Sequence, residues 1–117
     1  MRVLVVDDDV KILKFLRLSL VLAGYDVVTA SNGDEALTLV RSEKPDIMVL
    51  DLLMPVMDGF EVLKRLRVSS KLPVLAISAH TSSAEKALSL GASEFMAKPF
   101  KPDELVKTIK TLLITKS

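Results

Sequence analysis

Four places in the chain carry residues that could do chemistry, and each follows an apolar run. Asp7-Asp8-Asp9 follows Val3-Leu4-Val5-Val6, and Asp51 follows Ile47–Leu50. Ser78 follows Val74–Ile77, and Lys98-Pro99 follows Phe95-Met96-Ala97. Three carboxylates in a row are costly: two like charges about 4 Å apart repel by roughly 4 kcal/mol at an effective dielectric of about 20. Such a cluster is tolerated where water bathes it, where a helix N-terminus faces it, or where a cation sits in it. Carboxylates supply the oxygen ligands a hard cation requires, a lysine supplies fixed positive charge, and a serine supplies a hydroxyl donor.

Taken singly, each of these residues has a plainer role. Asp9 reads as an acid favoured by the dipole of a following helix, and Asp51 as a strand-end cap or turn residue. Lys98 alone is a surface lysine and Ser78 a turn hydroxyl. Asp58-Gly59 has a structural role in starting the third helix. Only the joint pattern, with all four groups at strand ends, points to a site.

The elements that must position them follow from the spacing of apolar residues. Val3–Val6, Ile47–Leu50 and Val74–Ile77 are continuous apolar tetrads, as expected of strands buried on both faces. Val27-Val28 and Phe95-Met96-Ala97 are weaker, as edge strands would be. Between them the pattern predicts helices near 10–22, 33–43, 59–68, 83–90 and 102–114. The last is the clearest, with Leu105, Val106, Ile109, Leu112 and Leu113 on one stripe. Asn32 with Glu35, Asp58 with Glu61, and Ser82 with Glu85 have capping-box spacing. Pro102 suits the first turn of the final helix. Strands alternating with helices predict an α/β fold with a parallel sheet and right-handed crossovers. In such sheets ligands bind beyond the carboxyl ends of the strands, so the four groups would converge in one crevice.

Composition narrows the class. The chain has 117 residues, enough for one domain spanning 1–117 with a single core. Half of the residues are hydrophobic, yet no stretch approaches a membrane span, and Met1-Arg2 followed by a short apolar run and acid does not read as a signal peptide. Cysteine is absent, which removes disulfides and thiolate metal sites and fits a reducing compartment. A soluble, cytoplasmic protein is expected. The net charge of +1 hides an asymmetry: residues 1–60 carry ten acids against six bases, and residues 61–117 five against ten. The bases are scattered over predicted helix surfaces and aromatics are scarce, so a solvated surface is favoured over direct nucleic-acid binding.

The segments VLVVDDD, DIMVLDLLMPVMDGFE, PVLAISAH and GASEFMAKPF, in that order, resemble the receiver domain of two-component response regulators. The resemblance runs from about residue 2 to residue 114. It implies a doubly wound, flavodoxin-like fold: a five-stranded parallel sheet of order 2-1-3-4-5 with five helices. It implies that Asp51 is the phosphoacceptor, and that Mg²⁺ is held by Asp8 and Asp51 directly, by Asp7 through water, and by the carbonyl of Leu53. Lys98 and Ser78 would contact phosphoryl oxygens, with Ser78 and Phe95 as the switch pair and Ala79 beside the phosphoryl group. The Lys98-Pro99 bond is a candidate cis peptide on the same grounds. Leu53 and His80 occupy positions that tune the lifetime of the phosphoryl group.

The implied partners are a sensor histidine kinase or histidine phosphotransfer protein, and a downstream protein target or an output domain outside this chain. A phosphorylation-linked homodimer is also open. No membrane association and no direct nucleic-acid contact are expected, and no enzymatic activity beyond intrinsic self-phosphorylation and autodephosphorylation. The region between Ser78 and Gly91 is shorter than in many relatives, which trims the fourth helix or the loop before it. A phosphatase of the haloacid dehalogenase type would also use an Asp nucleophile and Mg²⁺, but Leu53 stands where its second acid belongs. A degenerate receiver acting only as a scaffold would lack part of the Asp7, Asp8, Asp51, Ser78 and Lys98 set. A flavin or nucleotide binder would need a Gly- or hydroxyl-rich loop after the first strand, where three aspartates repel phosphate.

Overall fold

The computed structural model describes residues 1–115. Five strands and five helices alternate: β1 (Arg2–Val6), α1 (Val10–Leu22), β2 (Asp26–Ala30), α2 (Gly33–Glu43), β3 (Ile47–Asp51), α3 (Gly59–Arg67), β4 (Val74–Ser78), α4 (Ala84–Ser89), β5 (Glu94–Ala97) and α5 (Pro102–Thr115). A one-turn 3₁₀ helix, Thr81–Ser83, precedes α4. The strands pair in parallel in the order β2-β1-β3-β4-β5, the doubly wound arrangement expected from the sequence. The chain reverses direction of winding after β2, so the crevice lies beyond the carboxyl ends of β1 and β3.

The apolar tetrads occupy the middle of the sheet because both faces are covered. Every residue of β3 and β4 is buried, while β2 and β5 at the edges are half-buried. Alternate side chains feed two cores, as the two-residue period of a strand requires. Leu4, Val6, Met48 and Leu50 face α2, α3 and α4, meeting Ala36, Val62, Leu63 and Ala87. Val3, Val5, Ile47 and Val49 face α1 and α5, meeting Leu16, Leu20, Leu105 and Ile109. No helix among the described residues is long and apolar enough to cross a membrane.

Local signals set where the helices begin. Asp9 Oδ1 accepts from the Lys11 N–H at 2.9 Å and caps α1. Asn32 Oδ1 accepts from the Glu35 N–H at 2.8 Å, and Glu35 reaches back to the Ser31 N–H at 2.8 Å. Asp58 Oδ1 accepts from the Glu61 N–H at 2.9 Å. Each such cap stabilises its helix by about 1 kcal/mol. Pro102 is the first residue of α5. The capping role expected of Ser82 is not met: Ser82 lies inside the 3₁₀ turn, and α4 starts at Ala84 with no side-chain cap. The tight turn has consumed the residues that would have formed a box, leaving α4 only six residues long.

Two contacts tie α4 and the turn after it to α3. Arg67 donates from Nε and Nη2 to the Gly91 carbonyl at 3.0 and 2.8 Å, and from Nη1 to the Ser70 carbonyl at 3.2 Å. Burial lowers the pKa of its guanidinium below the usual value. Gly91 has φ +104°, and a Cβ there would come within 2.9 Å of Arg67 Nε. The Lys86 ammonium sits 4.3 Å from the centre of the Phe60 ring.

Candidate functional site

The parallel sheet brings the carboxyl ends of β1, β3, β4 and β5 to one edge of the molecule, and the predicted site residues stand there. Asp7 and Asp8 follow β1, Asp51 ends β3, Ser78 ends β4 and Lys98 follows β5. Asp7, Asp51 and Ser78 are buried, whereas Asp8 is exposed. Asp7, Asp8 and Asp51 each offer a carboxylate oxygen, and the three atoms lie within 4.8 Å of one another. Three converging carboxylates of mixed burial match the donor set of a hard divalent cation, which takes oxygen ligands and keeps some of its water.

Lys98 pairs with two of these carboxylates. Its Nζ is 3.0 Å from Asp7 Oδ2 and 3.4 Å from Asp51 Oδ1. Asp7 Oδ1 accepts from the Asp9 N–H at 2.9 Å, so both oxygens of Asp7 are engaged. Asp51 differs. Its Oδ1 takes Lys98 and, at 3.4 Å, the Leu53 N–H, but its Oδ2 takes no hydrogen bond among the described residues. No buried side-chain oxygen among those residues lacks a partner, so this Oδ2 is open to the crevice.

The Asp51 carboxyl is pushed up to a pKa of about 6, first by burial, then by the charge of Asp7. Lys98 and the Leu53 N–H act in the opposite direction and do not overcome it. The carboxylate is therefore ionised at neutral pH but held at a cost, which any added cation would relieve.

Other predicted residues fall nearby. Ser78 Oγ accepts from the His80 N–H at 3.0 Å. Phe95 is half-buried and packs against the α2–α3–α4 core, on the same face of β5 as Ala97, the register partner of Ser78. The Leu53 side chain is exposed in the loop after β3. The Lys98-Pro99 peptide is cis.

The structure adds residues that sequence reading did not single out for the site. Gly59, the first residue of α3, packs directly on the end of β3, and its N–H donates to the Leu52 carbonyl at 2.9 Å. A Cβ at Gly59 would stand 2.6 Å from the Asp51 carbonyl oxygen and 2.7 Å from Leu52 Cα. The MDG run signalled a helix start, but nothing local signalled that approach. The Arg67 clamp on Gly91 joins residues 24 apart and had no sequence signature.

Fold and site together define a response regulator receiver domain. Residues 3–110 match the family described as "Response regulator receiver domain", and the chain belongs to it. It is 44% identical over 115 residues to the alkaline phosphatase synthesis transcriptional regulatory protein PhoP of Bacillus subtilis, covering 96% of this chain and 48% of that protein. It is 43% identical over 116 residues to the response regulator MprA of Mycobacterium avium, covering 97% and 51%. The chain thus spans about half the length of these curated relatives. Among solved structures, the receiver domain of Francisella response regulator 1452 superposes with a TM-score of 0.92 at 35% identity, covering 99% of this chain and 98% of that one. Vibrio cholerae chemotaxis protein CheY4 superposes at 0.89 with 35% identity, covering 95% and 97%.

Proposed function

We propose that this receiver domain accepts a phosphoryl group on Asp51 from a histidine kinase or histidine phosphotransfer protein, and so switches a surface formed by its last two strands and helices. The observation that carries this reading is the asymmetry of Asp51: one oxygen is held by Lys98 and the Leu53 N–H, and the other is open. A carboxylate oxygen of Asp51 attacks phosphorus, the P–N bond of the donor phosphohistidine breaks, and the imidazole leaves with the electron pair. The product is an acyl phosphate.

The transfer needs charge neutralisation more than covalent assistance. Lys98 supplies a fixed positive charge beside the attacking oxygen. Asp8 and Asp51 would ligate Mg²⁺ directly, Asp7 through water, and the Leu53 carbonyl would complete the protein's share; the mixed burial of the carboxylate cluster fits that assignment. When bound, the dication spreads the charge of the transferring phosphoryl oxygens. Ser78 then exchanges its bond to the His80 N–H for one to the phosphoryl group, with small Ala79 leaving room, and Phe95 packs inward behind it. Residues 1–117 act as one unit in this reading, working in the cytoplasm, with the output made through another protein or another part of the same regulator.

Acetyl phosphate with Mg²⁺, followed by borohydride trapping and peptide mapping, tests the acceptor. Label on Asp51 that disappears in Asp51→Asn supports it; an unlabelled wild type, or label undiminished in Asp51→Asn, refutes it. For the switch, Phe95→Ala should accept phosphate normally yet lose the phosphorylation-dependent shifts of α4, β5 and α5 amides. Unchanged shifts would remove Phe95 from the mechanism.

A further inference from the structure

The two ends of α4 are held by unequal means. At its carboxyl end the chain closes in a Schellman motif: the Gly91 N–H donates to the Leu88 carbonyl at 3.1 Å and the Ala92 N–H to the Ala87 carbonyl at 3.0 Å. Gly91 takes the left-handed φ of +104° that this motif requires, and Ala87 and Ala92 are buried in the same core. The turn is then stitched to the start of β4. The Ser93 N–H donates to the Val74 carbonyl at 2.8 Å, and Ser93 Oγ accepts from the Val74 N–H at 3.0 Å. Over the turn lies Arg67, whose Nε and Nη2 both donate to the Gly91 carbonyl while Nη1 holds the Ser70 carbonyl. A Cβ on Gly91 would stand 3.0 Å from Arg67 Cγ and 3.2 Å from Cδ, so the arginine side chain packs against the glycine itself.

The amino end has no such hold. Residues 79–82 are exposed, and neither the 3₁₀ turn Thr81–Ser83 nor α4 has a side-chain cap. The helix itself is six residues long, about 9 Å. This segment is tied to the end of β4 by the His80 N–H, which donates to Ser78 Oγ at 3.0 Å. That bond is the one Ser78 exchanges in the function proposed above. Further along, the Lys86 ammonium sits 4.3 Å from the centre of the Phe60 ring. Because Lys86 is exposed, this contact is weaker than the charge-assisted fork from Arg67.

We propose that α4 is a lever with its fulcrum at Gly91, gripped by Arg67, so that phosphoryl transfer moves the crevice end of the helix and leaves its far end in place. The moving force rests on the phosphoacceptor reading; the position of the fulcrum rests on the unequal ends. When Ser78 Oγ turns to the phosphoryl group, the His80 N–H loses its acceptor at the free end. None of the bonds at the fulcrum involves a residue of the crevice. Displacement about a fixed end grows with distance from it. The surface that differs between the two states is therefore centred on Thr81–Lys86 and fades toward Gly91. Arg67 is a positioning residue in this scheme: it bonds Gly91 and Ser70, and acts on the switch through the helix it anchors.

Two measurements on ¹⁵N-labelled protein test this. Without any phosphoryl group, amide exchange at Gly91, Ala92 and Ser93 should be at least about tenfold slower than at Ser83 and Ala84, whose N–H groups are also hydrogen-bonded. With Mg²⁺ and fluoroberyllate, residual dipolar couplings should show the N–H vectors of Ser83–Lys86 turning relative to the sheet while those of Gly91–Ser93 keep their directions. Arg67→Met should raise exchange at Gly91–Ser93 about tenfold and let the reorientation spread to them, with labelling of Asp51 by acetyl phosphate at the wild-type rate. Arg67→Lys keeps the charge but loses the fork, and should behave as Arg67→Met does. A merely structural Arg67 would lower the Tm and leave the reorientation confined to Ser83–Lys86, which overturns the proposal. So would equal reorientation at both ends, a helix that keeps its direction while Asp51 is occupied, or exchange as fast at Gly91–Ser93 as at Ser83 and Ala84. Should the variants fail to fold, the wild-type couplings and exchange rates still decide. If fluoroberyllate leaves Asp51 unperturbed, the phosphoacceptor reading fails, and the exchange pattern alone decides whether Gly91 is the fixed end.

Discussion

Gly59 rests on Asp51. The bare α-carbon that begins α3 stands where any Cβ would press to 2.6 Å from the Asp51 carbonyl oxygen. Both close neighbours, Asp51 O and Leu52 Cα, are backbone atoms of the strand end, which cannot swing aside as a side-chain tip could. Gly59→Ala should therefore destabilise the fold by about 1–3 kcal/mol in urea unfolding. It should also slow phosphorylation of Asp51 by more than that loss explains, because the strand end carrying the proposed nucleophile must shift. Phosphorylation kinetics under conditions where the variant is fully folded check the second part; a wild-type rate there would confine Gly59 to packing.

Asp51 should make stability depend on pH. Its folded pKa of about 6 lies above the unfolded value of 3.8, so the native state binds the proton more tightly. This group favours folding below pH 3.8, and that contribution is lost as pH rises through 6, a swing of about 3 kcal/mol at most. Asp51→Asn should be more stable than wild type at pH 7.5 without divalent cation, and the difference should vanish toward pH 4. Millimolar Mg²⁺ should raise the wild-type Tm at pH 7.5 and leave that of Asp51→Asn much less changed. Denaturant titrations at several pH values would decide it; no gain for Asp51→Asn at pH 7.5 contradicts the assignment.

Asp8 and Asp9 are neighbours with different duties, and substitution should separate them. Asp9 caps α1 through its Oδ1, so Asp9→Ala should cost about 1 kcal/mol of stability. The N–H that Asp9 gives to Asp7 is backbone and survives the change. Asp8 is exposed and makes no such bond, so Asp8→Asn should be nearly neutral for stability but weaken Mg²⁺ binding at least about tenfold. Fluorescence or calorimetric titration with Mg²⁺ beside urea unfolding reads both numbers for both variants.

Val56 offers a stabilising change. It has φ +67° and is fully exposed, and the Met57 N–H donates back to the Pro55 carbonyl at 2.8 Å across it. A β-branched residue pays for a left-handed backbone, about 1–2 kcal/mol relative to glycine. Glycine returns part of that through the unfolded chain, roughly 0.4–1 kcal/mol. Val56→Gly should thus gain a few tenths to about 1 kcal/mol, visible as a higher Tm, with no packing lost. A lower Tm would show that the valine side chain contributes something the exposed position conceals.

Much of this was legible because the signals were local. The apolar tetrads marked β1, β3 and β4 since burial on both faces leaves no polar position in them. Asn32 and Asp58 announced their helices because a cap acts on an N–H three residues away. The strand-end acids and Lys98 were visible one by one, the parallel-sheet reading brought them to one crevice, and the resemblance assigned their roles. What stayed hidden was set by distant or competing contacts. The 3₁₀ turn displaced the cap expected at Ser82, since a serine followed by a glutamate three residues later does not say which turn the backbone takes first. The approach of Gly59 to Asp51, and the grip of Arg67 on Gly91, depend on how α3 lies against the rest of the fold. No periodicity encodes that.

The ion pair between Lys98 and Asp7 spans 91 residues of sequence. It connects the strand nearest the start of the chain with the edge strand that closes the sheet, and Asp51 lies between them on β3. No piece shorter than residues 7–98 contains both the carboxylates and the ammonium. On the function proposed above, phosphoryl acceptance should therefore be an all-or-none assay of folding: a chain cut between Asp7 and Lys98, or partly melted, presents acids without their counter-charge. Phosphate incorporation should rise and fall with the cooperative unfolding curve.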